Sequence, residues 1–248
     1  GITDYPIHIK IDSGMHRLGF EFQDMEKLIA RLKNQQQVKV RSVFSHLAGA
    51  DEPKFDSFTK EQIERFTACA DQITSAFSHH FMRHILNSAG TERLPQYQFD
   101  MVRLGIGHYG ISSVPDVHLK PVCALKTIIL QTKTIKAGET VGYSRKGIVE
   151  TDKRIAILPI GYADGFDRKL SNGVGEVLIN GKRAKVIGNV SMDLVTVDIT
   201  NIEAEEGDVV ELFGENLTIS EVAGWLKTIS YEVLTSISRR VKRVYFQE

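Results

Sequence analysis

The feature that most constrains the fold is a change of hydrophobic pattern near residue 116. Before this point, short β-branched runs alternate with stretches whose apolar residues follow a helical period. Two helices are predicted here, over 21–34 and 57–78. Strands that alternate with helices favour parallel βα units, so we expect an α/β domain over 1–116. The four predicted strands are IHIKI (7–11), VKVRSVFSHL (38–47), HILNS (84–88) and FDMVRLGIGHYG (99–110).

The remaining residues, 117–248, alternate strand-like runs with turn signals and predict a mostly β domain. The dipeptide Asn180-Gly181 separates two such runs and predicts a tight hairpin. A single late helix is expected around 219–227, where the apolar residues again follow a helical period.

Charge and cysteine usage exclude several classes of protein. Basic and acidic residues both total 31, so no excess charge predicts a nucleic acid or an anionic membrane as partner. No apolar run is long enough to span a bilayer. The two cysteines, Cys69 and Cys123, are far apart in sequence, which is typical of reduced thiols. We therefore expect a cytoplasmic protein, and no metal site is predicted.

Polar residues follow the predicted strands of the first domain, and Arg17 lies just beyond the first of them. In a barrel of parallel βα units, the carboxyl edge of the strands is where active sites are built. The small residues of the turn Arg103-Leu104-Gly105-Ile106-Gly107 let backbone N–H groups approach an anion, and Ser88 adds a hydroxyl donor. We expect a phosphate-binding turn there. The four strand-end residues are Lys10, His46, Ser88 and Arg103.

The second domain contributes three tyrosines in polar or glycine-rich surroundings: Tyr143, Tyr162 and Tyr231. A tyrosine beside glycine at the end of an apolar strand exposes its hydroxyl. The hydroxyl can donate to a phosphate, or act as a general base if its pKa is lowered. The alternative for each is an aromatic side chain that packs at a strand edge.

Four segments together resemble the alanine racemase family, the barrel-fold enzymes that use pyridoxal phosphate: IKIDSGMHRLG, MVRLGIGHYG, PIGYADGFDR and GNVSMD. The resemblance covers nearly all of the chain and keeps the order of the motifs. It implies an eight-stranded α/β barrel followed by a β domain, in a homodimer whose sites are shared between subunits. The implied reaction interconverts L- and D-alanine and supplies D-alanine for peptidoglycan.

The resemblance also implies residue roles. Tyr143 matches a catalytic base that reaches into the partner's site, Arg103 matches the arginine bonded to the pyridine nitrogen, and His46 matches the histidine between them. Lys10 matches a lysine that is often carbamylated. The remaining matches are phosphate contacts at Ser88, Tyr162, Tyr231 and the backbone of Gly105 and Ile106, a cofactor and substrate contact at Arg17, and a substrate carboxylate contact at the N–H of Met192.

The sequence departs from the family pattern in two ways. Asn189 stands where the family often has an arginine, which keeps open a racemase of broader or serine specificity. A protein that binds pyridoxal phosphate without catalysis is a further alternative. The family's cofactor-anchoring lysine has no match, because Lys10 takes another role and Lys54 and Lys60 fall near a predicted helix. We therefore expect the chain to contain the last four βα units of the barrel and to be inactive alone. Such a partial barrel has two unpaired strand edges, which we expect a partner copy or a rearranged edge to cover.

Overall fold

The computed structural model describes residues 1–112, 114 and 117–246. The chain forms two compact units, Gly1–Lys120 (unit 1) and Pro121–Glu248 (unit 2). The domain boundary predicted from the sequence includes residue 116, which lies outside the described residues. Within the described residues, no helix is both long and apolar enough to cross a bilayer.

Unit 1 contains a three-stranded parallel sheet in the order β1-β2-β3, so β1 and β3 form its two edges. Parallel neighbours require long crossover connections, and the two predicted helices provide them. Met25 of the first helix and Phe66 of the second are fully buried in one core with Val43 of the central strand. The elements are β1 (Tyr5–Lys10), α1 (Met25–Lys33), β2 (Val38–Phe44), α2 (Asp56–Ala76), β3 (Met82–His84) and α3 (Ser88–Arg93).

Three strand predictions in unit 1 need correction. The second strand ends at Phe44 rather than at residue 47, so His46 lies two residues beyond it. The third strand ends at His84 rather than continuing to residue 88, because the Asn87 side chain accepts the N–H of Gly90 at 2.9 Å and caps α3. Ser88 is therefore the first residue of a helix, not the end of a strand. The strand predicted over 99–110 does not form.

The segment 99–110 forms no strand because it makes only isolated backbone hydrogen bonds with β3 and with the residues that follow β3. The N–H of Asp100 donates to the Arg83 carbonyl, and the N–H of Arg103 donates to the Leu86 carbonyl. Phe99 has a φ of 50°, outside the extended region, and the last part forms a 3-10 helix at Ile106–Tyr109. The backbone therefore follows the sheet edge without building a ladder.

Unit 2 is mostly β, as its pattern predicts. It contains a four-stranded sheet in the order β10-β9-β12-β4, a three-stranded sheet in the order β11-β8-β5, and the short pair β6-β7. Its strands are β4 (Leu125–Ile128), β5 (Gln131–Ile135), β6 (Thr140–Val141), β7 (Gly147–Ile148), β8 (Lys153–Leu158), β9 (Glu176–Ile179), β10 (Lys182–Lys185), β11 (Val195–Asp198) and β12 (Val209–Phe213).

Local signals account for the turns and helices of unit 2. The predicted hairpin joins β9 to β10, and both Asn180 and Gly181 have positive φ (49° and 74°), as a type I′ turn requires. The predicted late helix is α4 (Ile219–Leu226), which the Thr218 side chain caps by accepting the N–H of Glu221. A further helix that we did not predict, α5 (Ser230–Ser236), follows it.

Candidate active site

The loop that follows β1 is built around the carboxylate of Asp12. This carboxylate accepts the backbone N–H groups of Gly14 and His16 at 3.0 Å and of Arg17 at 3.1 Å. Burial raises the pKa of Asp12, but these three hydrogen bonds outweigh it and the pKa lies below its ordinary value. Gly19 is needed where the loop returns, because a Cβ there would lie 2.4 Å from the Asp12 nitrogen. The loop therefore holds Arg17 close to the end of β1.

Four cationic or titratable side chains of unit 1 interact electrostatically. The pKa of Lys10 is lowered by burial first and then by the charges of Arg17 and Arg103, although Asp12 opposes the shift. The pKa of His46 is lowered by burial and then by Arg103, Arg17 and Lys10. The structure thus brings together four residues that the sequence predicted as a site. Their mutual repulsion favours a neutral imidazole at His46 and an anionic ligand nearby.

Arg103 is the most constrained member of this group. Its Nη2 donates to the Ser45 carbonyl at 2.6 Å and to the Ile85 carbonyl at 3.3 Å, and it lies 3.4 Å from His46 Nδ1. The guanidinium also lies 5.3 Å from the ring centroid of Phe44. Burial lowers the pKa of Arg103, which nonetheless stays charged at any physiological pH. Within the described residues, none of these hydrogen bonds uses Nε.

His84 is a site residue that our sequence reasoning missed. It is only 4% exposed, it stacks on Phe44 with 5.1 Å between ring centroids, and its Nδ1 accepts a hydrogen bond from Nη1 of Arg103. Burial and the charge of Arg103 lower the pKa of His84 to about 4. The neutral ring must then carry its proton on Nε2, which donates to Ser42 Oγ at 3.1 Å.

The signal for His84 was present in the sequence. It is the last residue of β3, just as Lys10 is the last residue of β1. The predicted third strand starts two residues and ends four residues beyond the observed one, which places its end at Ser88 instead of His84.

Ser88 and the glycine-rich turn do lie together. The Ser88 Oγ accepts the N–H of Gly105 at 2.9 Å and the N–H of Gly107 at 3.3 Å. Because the oxygen serves as the acceptor for both, its own proton remains to be donated elsewhere. A Cβ at Gly107 would lie 3.4 Å from this oxygen, in ordinary van der Waals contact, so the contact with Ser88 does not itself require glycine there. Ile106 is buried behind the turn.

In unit 2, the turns that carry Tyr162 and Met192 are joined through their backbones. The N–H of Tyr162 donates to the Ser191 carbonyl and that of Ala163 donates to the Met192 carbonyl, both at 3.0 Å. Gly161 permits this contact, because a Cβ there would lie 2.3 Å from the Ser191 oxygen. The side chains of Tyr162 and Met192 are both exposed.

An ion-pair network supports the same two turns. The Asp164 carboxylate accepts the N–H of Gly161 at 2.9 Å and Nε of Arg240 at 2.6 Å. Arg240 also pairs with Asp193, in the turn that carries Met192. The hydrogen bond from Arg240 is the main cause that lowers the pKa of Asp164.

The other two tyrosines of unit 2 are also exposed. Tyr231 lies in the first turn of α5. Tyr143, 70% exposed, lies in a turn whose residues Gly142, Ser144 and Arg145 have positive φ values of 77°, 58° and 53°. The Asn189 amide donates to the Tyr143 carbonyl at 3.1 Å. Asn189 therefore contacts the turn of the predicted base.

Comparisons with known proteins agree with the resemblance. The model of the alanine racemase N-terminal domain matches residues 2–113, and that of the C-terminal domain matches 122–245. The alanine racemase of Carboxydothermus hydrogenoformans is 42% identical over 96% of this chain and 67% of its own length. That of Symbiobacterium thermophilum is 39% identical over 96% of this chain and 65% of its own length.

Solved structures agree as well. Alanine racemase from Streptomyces coelicolor A3(2) superposes with a TM-score of 0.91 at 33% identity, over 99% of this chain and 67% of that one. Alanine racemase from Bartonella henselae, with covalently bound pyridoxal phosphate, has a TM-score of 0.87 at 33% identity, over 97% and 66%. The chain thus spans about two thirds of the length of these relatives. The α/β unit followed by a β unit, and the motifs in both, place this chain in the alanine racemase family.

Proposed function

We propose that this chain forms part of a cytoplasmic, pyridoxal-phosphate-dependent racemase that interconverts L- and D-alanine for peptidoglycan synthesis. The observation that carries the proposal is the setting of Arg103. Carbonyl groups of two neighbouring segments and the neutral His84 ring hold its terminal nitrogens, and none of these bonds uses Nε. A fixed cation with a free in-plane donor suits recognition of a ring nitrogen.

We further propose that residues 1–116 correspond to the last four βα units of an eight-stranded barrel, with the segment 99–110 in the place of the fourth strand although it forms no ladder, and residues 117–248 to its β domain. Three parallel strands with crossover helices and the family-model match over 2–113 support the first part. The sheet edges at β1 and β3 would then be covered by the rest of a barrel or by a second copy. The proposed assembly is a homodimer with sites shared between subunits.

The residues present fit pyridoxal phosphate at both of its ends. Nε of Arg103 is available to the pyridine nitrogen. The Ser88 hydroxyl proton is available to the phosphate, because the Ser88 oxygen already accepts the N–H groups of Gly105 and Gly107. Tyr162, Tyr231 and the backbone of Ile106 are the other proposed phosphate contacts. The bound cofactor would supply a conjugated ring that stabilises negative charge at the substrate Cα. Arg103, by keeping its charge, disfavours protonation of the ring nitrogen and moderates that stabilisation.

Proton movement at the substrate is assigned to Tyr143. Its phenolate oxygen would take a proton from, or its hydroxyl return a proton to, the Cα of an amino acid in the partner's site. His46 accepts from Arg103 at Nδ1, which leaves its proton on Nε2 available to orient the tyrosine oxygen. Arg17 and the N–H of Met192 would hold the substrate carboxylate. These roles are proposed from the family resemblance.

Lys10 is proposed to carry a carbamate. Burial and the charges of Arg17 and Arg103 lower the pKa of its amine, which raises the fraction of neutral, nucleophilic nitrogen. The ammonium group first loses one proton; the neutral nitrogen then forms a bond to the carbon of CO2 and releases a second proton, so the cation becomes an anion that can pair with Arg17. Mass spectrometry under conditions that preserve carbamates is expected to find one added CO2 on Lys10. Unmodified Lys10 under those conditions would refute this.

We propose that the anchoring lysine lies outside these 248 residues, so that the chain alone binds pyridoxal phosphate noncovalently and does not racemise alanine. Affinity is measured by equilibrium titration for the chain, R103Q and the control R41Q, which removes an exposed arginine. Loss of a charge-assisted hydrogen bond predicts binding weaker by about ten- to a hundredfold for R103Q alone.

Three results would contradict these proposals. Equal affinities for R103Q and R41Q would refute the role of Arg103. A visible absorbance band from a covalent adduct would show that a lysine of this chain anchors the cofactor. Turnover of alanine at the rate of a complete family member would refute the inactivity.

Asn189 supports a second candidate, a racemase of broader or serine specificity. Asn189 carries no charge at a position where the family often has arginine. Both ends of its amide are already engaged, by the Tyr143 carbonyl and by the Asn172 side chain. Replacement of that arginine by asparagine in a complete relative is expected to raise activity on serine relative to alanine. An unchanged ratio would favour an alanine racemase. The family-model match over 122–245 argues against a noncatalytic pyridoxal-phosphate-binding protein.

A further inference from the structure

We propose that Asn172 and Asn189 form an amide clamp that positions the Tyr143 turn. The inference rests on the proposed function only for the role of Tyr143 as a base. The clamp itself is a property of unit 2, in which all three residues lie. Asn172 and Asn189 are thus positioning residues.

The two amides are oriented by their partners. The Tyr143 carbonyl can only accept, so the Asn189 group that lies 3.1 Å away must be its NH2. The Asn189 Oδ1 then faces Asn172, whose Nδ2 donates to it at 3.0 Å. The backbone N–H of Asn172 in turn donates to the Gly188 carbonyl at 2.9 Å. The chain of hydrogen bonds thus links the Tyr143 turn to two other turns of unit 2.

The Tyr143 turn needs external support because its conformation is unfavourable. Two non-glycine residues, Ser144 and Arg145, have φ values of 58° and 53°, in the left-handed region that few side chains adopt. Such residues persist only when their surroundings hold them. Burial of Tyr143 cannot do so, since the side chain is 70% exposed.

The flanking strands give limited support. The turn is closed by β6 and β7, which pair over two residues each. Inside the turn, the N–H of Arg145 donates to the Gly142 carbonyl at 3.2 Å and its Nε donates to Thr140 Oγ1 at 3.1 Å. Gly188 approaches β6 so closely that a Cβ there would lie 2.6 Å from the Val141 oxygen. This close approach brings Asn189 to the Tyr143 carbonyl.

The chemistry of the clamp requires an amide at position 189. The side chain must donate to a carbonyl at one end and accept from Asn172 at the other, and asparagine does both. Aspartate accepts but has no N–H to donate. N189D therefore removes the contact with Tyr143 and leaves an acceptor for Asn172. N172G removes the second link, tolerates the φ of 56° at position 172 and changes no group that touches the turn.

The test is limited trypsin digestion of the 248-residue chain, with cleavage after the exposed residues Arg145 and Lys146 followed by mass spectrometry. Cleavage of a folded protein follows the population of the locally open form, and loss of one hydrogen bond raises that population by about three- to tenfold. We expect N189D to increase the rate by this factor and N172G by a smaller factor. The control is N201D, at an exposed asparagine elsewhere in unit 2.

Cleavage after Lys185, an exposed residue of β10, reports opening of the β sheet in the same digestion. Unchanged rates after Arg145 and Lys146 in N189D would overturn the clamp. An equal increase after Lys185 would also overturn it, because the amides would then stabilise unit 2 as a whole. N172G keeps the test decisive if N189D fails to fold, because glycine adopts the φ of 56° at this position without strain.

A separate measurement tests the role of Tyr143. Normal racemisation after the tyrosine-to-phenylalanine change in a complete relative would refute the base and leave the clamp standing. The two failures are thus distinguishable.

Discussion

Replacing His84 by asparagine should remove a large part of the acid sensitivity of unit 1. The buried ring must stay neutral because it accepts a hydrogen bond from Arg103, and its pKa is lowered from 6.5 to about 4. In the unfolded chain, histidine takes up a proton below its ordinary pKa. Between pH 6.5 and pH 4 the unfolded state therefore binds more protons, and the free energy of unfolding falls as the pH falls.

The size of this effect follows from the two pKa values. A group that titrates at 6.5 in the unfolded state and at about 4 in the folded state contributes a loss of about 3 kcal/mol between pH 7 and pH 4. In H84N, the replacement amide oxygen can still accept from Arg103, but it does not titrate. We expect the variant to be less stable than the wild type at pH 7, and its stability to fall by about 3 kcal/mol less on acidification.

The assay is urea unfolding at several pH values. Unfolding is monitored by hydrogen exchange of the peptide that contains β2, because this peptide reports on unit 1 alone. The control H108N removes an exposed histidine of the same unit. The reasoning would be refuted if H84N and H108N lost the same free energy of unfolding between pH 7 and pH 4.

Three further predictions concern the loops. G161A places a Cβ 2.3 Å from a backbone oxygen and should destabilise unit 2 by about 1–3 kcal/mol in thermal unfolding, whereas G224A, whose Cβ meets nothing within 4 Å, should not. D12N weakens three backbone hydrogen bonds, so amide exchange should accelerate over residues 14–17. The Asp12 contribution is present at neutral pH and lost as the pH falls through the lowered pKa, so D12N should flatten the acid dependence. R240M should raise the pKa of Asp164 in an NMR titration, and an unchanged value would contradict the network.

Features that depend on neighbouring residues could be predicted from the sequence. The Asn180-Gly181 hairpin formed because two residues that tolerate positive φ suffice to define the turn. The α/β and β patterns likewise reflect side-chain periodicity, which is a local property. The strand predicted over 99–110 was wrong because a strand depends on hydrogen bonds to a neighbouring strand, which lies far away in sequence. At the end of this segment, the Ser88 side chain accepts the N–H groups of Gly105 and Gly107 instead.

The sequence by itself determined the family motifs, the periodic pattern of both units and the identity of most candidate site residues. Only the tertiary structure decided how those residues are held. Arg103 is fixed by carbonyls and a histidine that are 18 to 58 residues away in sequence. The protonation of His84 and the orientation of the Asn189 amide depend on burial and on which groups lie opposite, and no local pattern encodes either.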